Sequence, residues 1–237
     1  MTDSPRVSVI VPTYNSGRFL ATAVRSILGQ TFRDFELVVV DDGSTDATQA
    51  LLSSIHDSRL VVHRHPENLG LAAARNTGIV KSRGRYIAWL DADDESLPTR
   101  LQRQIHVLDR QPELAICGTW VETFGQNRTS IWRYPRRPDF LVSRMLFDDP
   151  FATSSVMIRR EVLEACGGFN PAFIPAEDYD LWERVLRAHR ATNIPRILTR
   201  YRIHPGQTSV QGHERQSAAV AEIQRRQLGL LGICPDA

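Results

Sequence analysis

Val7-Ser8-Val9-Ile10-Val11 runs into Pro12-Thr13-Tyr14-Asn15, and this short stretch sets the fold. Five residues rich in β-branched side chains and free of charge suit a strand buried on both faces. Beyond it, Phe19, Leu20, Ala23, Val24, Ile27 and Leu28 recur at helical spacing and form one apolar stripe. Phe35 to Val40 predicts a second strand, and Ser44 or Thr45 can cap a helix through Leu51, Leu52 and Ile55. Arg59 to His63 predicts a third strand, Leu71 to Val80 a third helix and Tyr86 to Leu90 a fourth strand. Pro98 suits the first position of a helix carrying Leu101, Ile105 and Leu108. Such alternation predicts an α/β fold, Rossmann-like, with a mostly parallel central sheet flanked by helices.

The chain has 237 residues, enough to bury about 70–75% of its unfolded surface without staples. Its composition, 42% hydrophobic and 24% charged with 14 Gly and 13 Pro, excludes disordered, collagen-like and disulfide-scaffold classes. No apolar run approaches the ~18–20 residues that span a bilayer. The first six residues lack the apolar core of a secretory leader. Cys117, Cys166 and Cys234 are an odd, widely spaced set that suits reduced thiols. The expectation is a cytoplasmic protein. A net charge of +2 gives no electrostatic footprint for nucleic acid, so no nucleic-acid partner is expected.

The polar residues fall where open α/β sheets bind ligands, at the carboxyl ends of the strands. The first strand ends in Pro12-Thr13-Tyr14-Asn15, the second in Asp41-Asp42-Gly43-Ser44-Thr45-Asp46 and the fourth in Asp91-Ala92-Asp93-Asp94. Neither G-x-G-x-x-G nor G-x-x-x-x-G-K-[ST] is present, so neither dinucleotide nor P-loop binding is supported. A carboxylate-rich rim repels a bare diphosphate. Mg2+ or Mn2+ resolves the conflict, taking one or two carboxylates and bridging to phosphate oxygens. Asp91 and Asp93, two residues apart after a strand, can share a ribose–metal–diphosphate assembly.

These segments resemble glycosyltransferase family 2. The resemblance rests on residues 7–15, Gln30-Thr31-Phe32, residues 36–46 and Asn68 to Gly78, followed by Asp91 to Asp94. It continues through Gly167-Gly168-Phe169 and Glu177-Asp178-Tyr179-Asp180-Leu181-Trp182 to His204-Pro205-Gly206, covering roughly residues 7 to 206. The resemblance implies a GT-A fold and inverting, metal-dependent transfer of one sugar from a nucleotide-diphosphate sugar, UDP being the usual carrier. It implies that Thr13 and Tyr14 line the nucleotide pocket, that Asp41 reads the base, and that Arg75 lies near the ribose or diphosphate. Asp91 would hold the ribose or the metal's water shell, Asp93 would ligate the metal, and Asp178 would be the catalytic base. A general base is also what the chemistry demands, because the attacking hydroxyl must lose its proton. The competing reading of Glu177-Asp178 is a helix start, where acidic residues are favoured. His204 either joins the metal or diphosphate or is simply packed, and His63 and His65 read as loop residues at a strand end.

The expected organisation is a single catalytic domain over 1–206, with a nucleotide-sugar half to about residue 95, an acceptor half over 96–206, and a helical tail over 207–237. Strands are expected at Leu114 to Val121 and Ser154 to Ile158. Between them, Arg128 to Arg144 reads as an irregular loop whose arginines and aromatics suit a saccharide or lipid-linked acceptor. Gly167-Gly168 reads as a helix stop, and Glu214 to Leu231 as a helix docked on the domain, with peripheral membrane contact as its minority reading. The Gln-x-x-Arg-Trp signature of processive synthases is absent, which points to single-sugar transfer in surface or extracellular polysaccharide synthesis. Two alternatives stand beside this one: a sugar-1-phosphate nucleotidyltransferase, which would want a Gly-rich loop after the first strand, and a non-catalytic nucleotide-sugar-binding protein.

Overall fold

The computed structural model describes residues 4–126, 129–207 and 213–233. The first half alternates as the sequence predicts: β1 (Val7–Thr13), α1 (Gly17–Leu28), β2 (Phe35–Asp41), α2 (Thr48–Ser53), β3 (Leu60–Arg64), α3 (Leu71–Lys81) and β4 (Tyr86–Trp89). These four strands lie parallel in the order β3-β2-β1-β4. Alternate residues of a strand face opposite sides of its sheet. Val7, Val9 and Val11 therefore pack with Leu20, Val24 and Ile27 of α1. Ile10 packs on the other side with Ala74 and Ile79 of α3 and with Trp89. Gly78 on α3 lets the helix lie close, since a Cβ there would stand 2.4 Å from Ile10.

The second half adds β5 (Glu95–Ser96), α4 (Arg100–Arg110), β6 (Leu114–Gly125), β7 (Ile131–Trp132), α5 (Pro138–Arg144), β8 (Met157–Arg159), α6 (Arg160–Cys166), α7 (Glu177–Leu186), β9 (Arg190–Ile203) and α8 (His213–Leu230). The sheet continues as β4-β8-β6-β9-β5, with β8 antiparallel to both β4 and β6 and with β9 parallel to β6. The result is a wholly parallel half joined to a mixed half in one continuous sheet, the α/β architecture expected from the sequence. α8 docks on the domain as expected, burying Ile223 and placing Arg226 on Asp180 and Glu183 at 2.8 and 2.6 Å. Gly167 ends α6 in the left-handed conformation at φ 84°. Cys117 and Cys166 are free thiols, and Cys234 lies outside the described residues.

Several elements differ from the sequence reading. α2 is shorter than predicted and starts after Ala47. Its first N–H is served by Asp46, whose Oδ1 accepts from the Thr48 amide, while Ser44 is engaged elsewhere. α4 begins at Arg100, with Pro98 two residues outside it. His63 lies inside β3, and His65 is buried just beyond it, not in an open loop. The segment read as an irregular loop contains β7 and α5, because Leu141 and Met145 bury one side of the helical turn; Arg128 lies outside the described residues. The 14-residue β9 is not predicted by the sequence, since Pro195 and four arginines argue against a central strand. Its register with β6 jumps from Thr119↔Ile194 to Trp120↔Ile197, so Pro195 sits in an irregularity where no ladder bond is required of it.

A buried polar pair on α4 stitches the two halves. Arg100 donates to the carbonyls of Trp89 and Val156 at 3.0 and 3.1 Å and to Gln104 Oε1 at 3.1 Å. Gln104 Nε2 donates to the carbonyls of Cys117 and Ser155. Burial pulls the Arg100 guanidinium down to about 9, yet it remains charged at neutral pH. Gln104→Leu strands two carbonyls and one guanidinium N–H in the interior. It should cost about 2–4 kcal/mol of unfolding free energy in urea denaturation; a loss under about 0.5 kcal/mol would show that the pair is dispensable.

Candidate active site

The carboxyl ends of β1 and β2 form one interlocked turn. Asn15 adopts φ 49°, and its amide donates to Ser44 Oγ at 2.9 Å, while its side-chain oxygen accepts from the Thr45 amide at 2.8 Å. Asp41 Oδ1 accepts from the Ser44 amide at 2.9 Å, and its Oδ2 lies 3.5 Å from Arg64. Asp42 turns the other way: it accepts from the amides of Leu69 and Gly70 at 2.9 and 2.8 Å and pairs with His65 Nδ1 at 2.6 Å. His65 Nε2 meets Thr77 Oγ1 at 2.9 Å, tying the turn to α3. Gly43, at φ 73°, is required here because a Cβ would stand 2.5 Å from the Glu67 backbone.

α3 starts at this turn and carries Arg75 into the interior, where it is 3% exposed. Arg75 donates to Asp91 Oδ1 at 3.0 Å and to Glu177 Oε1 at 2.7 Å, and its guanidinium lies 5.1 Å from the centre of the Phe169 ring. Burial pulls this cation's pKa down, but Asp91, Glu177 and Asp178 more than reverse it, so the charge is permanent. For Glu177 burial wins: its carboxyl is pushed up to about 7, with Arg75 opposing and Asp178 adding to the rise.

After β4 the chain presents Asp91, Asp93 and Asp94. Asp93 Oδ2 lies 2.9 Å from His204 Nε2, and His204 in turn packs on Phe19 with ring centres 4.9 Å apart. Burial and the neighbouring Asp91 charge push the Asp93 carboxyl up. Asp94 is buried and accepts from the Arg202 amide at 2.8 Å, so β9 is fastened to the same turn. Among the described residues, no three His, Cys, Asp or Glu side chains are gathered closely enough to hold a metal ion by themselves. Asp91, Asp93 and His204 are nonetheless oxygen and imidazole donors of the kind that suit Mn2+ or Mg2+, provided a ligand supplies the remaining oxygens.

Three acidic residues occupy the first turn of α7. Glu177 is bound to Arg75, and Asp180 is fully buried against Arg184 and Arg226. Asp178 is half-buried; its Oδ2 accepts from Thr153 Oγ1 at 2.6 Å and its Oδ1 from the Tyr179 amide at 2.8 Å.

A single cavity of about 1100 Å³ takes in Thr13, Tyr14, Arg75, Asp91, Asp93, Asp178 and His204. Asp41 is not brought to it; Asp42 lines it instead. Thr13 Oγ1 and Glu177 Oε2 are buried without a hydrogen-bond partner. The sequence reading missed Asp42, Thr153 and Asp149. Asp42 was hidden by its neighbour in an Asp-Asp pair, and Thr153 carries no local signal. Asp149 reaches the cavity from the stretch before β8, with its carboxyl pushed well up by burial and by the Asp178 charge.

Comparison with known proteins places this geometry. The model of glycosyl transferase family 2 matches residues 8–167. An uncharacterized glycosyltransferase of Haemophilus influenzae is 32% identical over 233 residues, which cover 92% of this chain and 72% of that protein. The Escherichia coli UDP-Glc:alpha-D-GlcNAc-diphosphoundecaprenol beta-1,3-glucosyltransferase WfaP is 31% identical over 204 residues, covering 86% and 79%. In shape, the chain resembles the mannosyltransferase PcManGT of Pyrobaculum calidifontis, solved with GDP-Man and Mn2+, at a TM-score of 0.71 and 23% identity over 94% of this chain and 64% of that one. With strand-end turns, buried arginine and helix-start carboxylates gathered in one cavity, and with both family model and relatives in agreement, the chain belongs to glycosyltransferase family 2.

Proposed function

We propose that this chain is an inverting, non-processive glycosyltransferase that moves one sugar from a UDP-linked donor to a hydroxyl of a saccharide or lipid-linked acceptor. The observation that carries the proposal is the shared cavity, in which the one first-turn carboxylate of α7 not tied to an arginine among the described residues faces the strand-end turns. The relative WfaP, by its name, uses UDP-Glc and a GlcNAc-diphosphoundecaprenol acceptor.

In this reading Thr13 and Tyr14 face the nucleotide, and Asp41 takes part in base recognition through the turn that it fixes. Asp91 takes the ribose, or would support the metal's water shell. Asp93 and His204 would hold Mn2+ or Mg2+, whose charge would neutralise a diphosphate leaving group when bound. Asp178 accepts the proton of the attacking hydroxyl as that oxygen bonds to the anomeric carbon. The bond to the diphosphate oxygen breaks with its electron pair, and the sugar inverts. Thr153 holds the Asp178 carboxylate in place for that transfer. Arg75 keeps positive charge at the diphosphate end while occupied by its two carboxylates.

Three outcomes follow for measurement. Asp178→Asn should lower kcat by about 10²–10⁴-fold with UDP affinity retained; a variant with near-normal turnover would exclude this base. Titration of UDP, TDP and GDP with and without Mn2+ should show a metal-dependent gain for UDP that Asp93→Ala abolishes. Binding by the wild type without turnover of any UDP-sugar would instead mark a non-catalytic binding protein. The third concerns pH. Because the Glu177 carboxyl is raised from 4.5 to about 7 in the fold, its stabilising contribution is complete below 4.5 and is lost as pH rises through 7. Glu177→Gln lacks that dependence, so the Tm difference between variant and wild type should move in the variant's favour across this window. A difference that stays constant with pH would mean that Arg75 keeps Glu177 ionised throughout.

A further inference from the structure

The segment from β7 through the turn after α5 keeps its buried side for the core and leaves large apolar side chains in water. Leu141 and Met145, four apart, are buried. The helical path continues past α5, with the amides of Phe147 and Asp148 donating to the Arg144 carbonyl, so Phe140 and Phe147, seven apart, fall on one side. Phe147 is 79% exposed, Phe140 56% and Val142 51%. Arg133, Arg136 and Arg137 are exposed in the same stretch, and the Arg137 guanidinium lies 5.0 Å from the centre of the Phe140 ring. Arg137 has only a loose, solvent-exposed pairing with Asp139 at 3.7 Å.

Aromatic tips flanked by arginines are the chemistry of a surface that lies on a bilayer: the rings enter the acyl boundary and the cations meet anionic headgroups. The other apolar patch, Leu230, Leu231 and Ile233 at the end of α8, lacks the cations, because Arg225 is paired with Glu222 and Arg226 with Asp180 and Glu183. The two patches also differ in place. Trp132, Arg133, Tyr134, Arg144 and Asp148 line the cavity, so the α5 segment forms its wall on the side of Asp178 and Asp149. No helix among the described residues is long and apolar enough to cross a membrane.

We infer that the segment 131–148 is a docking surface for an anionic lipid bilayer, through which Phe140 and Phe147 seat the acceptor side of the cavity on the membrane. As an account of how a lipid-linked acceptor is reached, it rests on the proposed transferase reading. As a binding surface it stands by itself. The test is sedimentation of the full chain with vesicles of phosphatidylcholine alone or mixed with phosphatidylglycerol. The wild type should bind the anionic vesicles about tenfold more tightly. Phe140→Ser with Phe147→Ser should remove most of that binding, as should Arg136→Ser with Arg137→Ser, while Leu230→Ser with Leu231→Ser should leave it unchanged. None of these residues lines the cavity, so UDP affinity and UDP-sugar hydrolysis in solution should be retained and serve as the folding control. Equal binding to both vesicle types, full binding by the Phe140/Phe147 variant, or loss of binding in the Leu230/Leu231 variant would each overturn the inference. Vesicle binding needs no nucleotide. A chain that docks through this segment but binds no nucleoside diphosphate would refute the donor reading and leave the docking surface standing.

Discussion

A guanidinium taken out of water must be neutralised where it lies, and Arg75 satisfies that requirement with one carboxylate from each half of the chain. Asp91 follows β4 of the parallel half, and Glu177 opens α7 of the mixed half. Removing one partner from such a buried set leaves an uncompensated charge, which costs about 3–5 kcal/mol. The triad therefore fixes the distance between the strand-end turns and the start of α7. In the proposed reaction those are the two parts of the cavity that donor and acceptor reach together.

The rest of the rim is built outward from the same constraint. α3 has to begin close to the sheet for Arg75 to enter the interior, and the Asp42 carboxylate holds that start by accepting from the Leu69 and Gly70 amides. Asp42 is held in turn by His65, which reaches across to Thr77 on the second turn of α3. Asn15 and Ser44 lock the β1 and β2 ends together, so neither turn can shift without the other. On the far side, Asp93 with His204, and Asp94 with the Arg202 amide, tie the β4 turn to the end of β9. Carboxylates here serve as joints of the backbone as well as charges of the rim. That dual use explains why so many can be packed into one place.

The parallel half was legible in the sequence because its determinants are local. β1 and β4 are uncharged, mostly apolar runs, β2 carries the apolar run Leu37 to Val40, and α1 carries a strong amphipathic stripe. The mixed half was not, because its determinants are tertiary. β9 has a proline and arginines that disqualify it as an isolated strand, and its long parallel pairing with β6 depends on a register shift that no local pattern announces. α5 is recognisable only once Leu141 and Met145 have a core to enter. At the site, residues in motifs were legible, since Thr13, Tyr14, Arg75, Asp91, Asp93, Asp178 and His204 all line one cavity. Partners were not. Nothing in Asp41-Asp42 says which carboxylate faces the cavity, and Thr153 lies 25 residues from the Asp178 that it bonds.

The first turn of α7 shows how the fold separates three carboxylates that the sequence presents as equals. All three gain from the helix's positive end. Glu177 points into the interior and is spent on Arg75, and its raised pKa records the desolvation that this requires. Asp180, one turn along the same buried side, is held by Arg184 and by Arg226 from α8, so the C-terminal helix takes part in removing it from the competition. Asp178 lies between them in sequence and rotates out of that side by the helical step. It meets a neutral hydroxyl instead of a cation. A proton acceptor tied to arginine would be a weak base; the threonine bond instead fixes the orientation of the Asp178 carboxylate without pairing it to a cation. That Asp178 is the one of the three with no arginine partner among the described residues thus follows from where the arginines are, and those positions are set by the packing of α3 and α8 against α7.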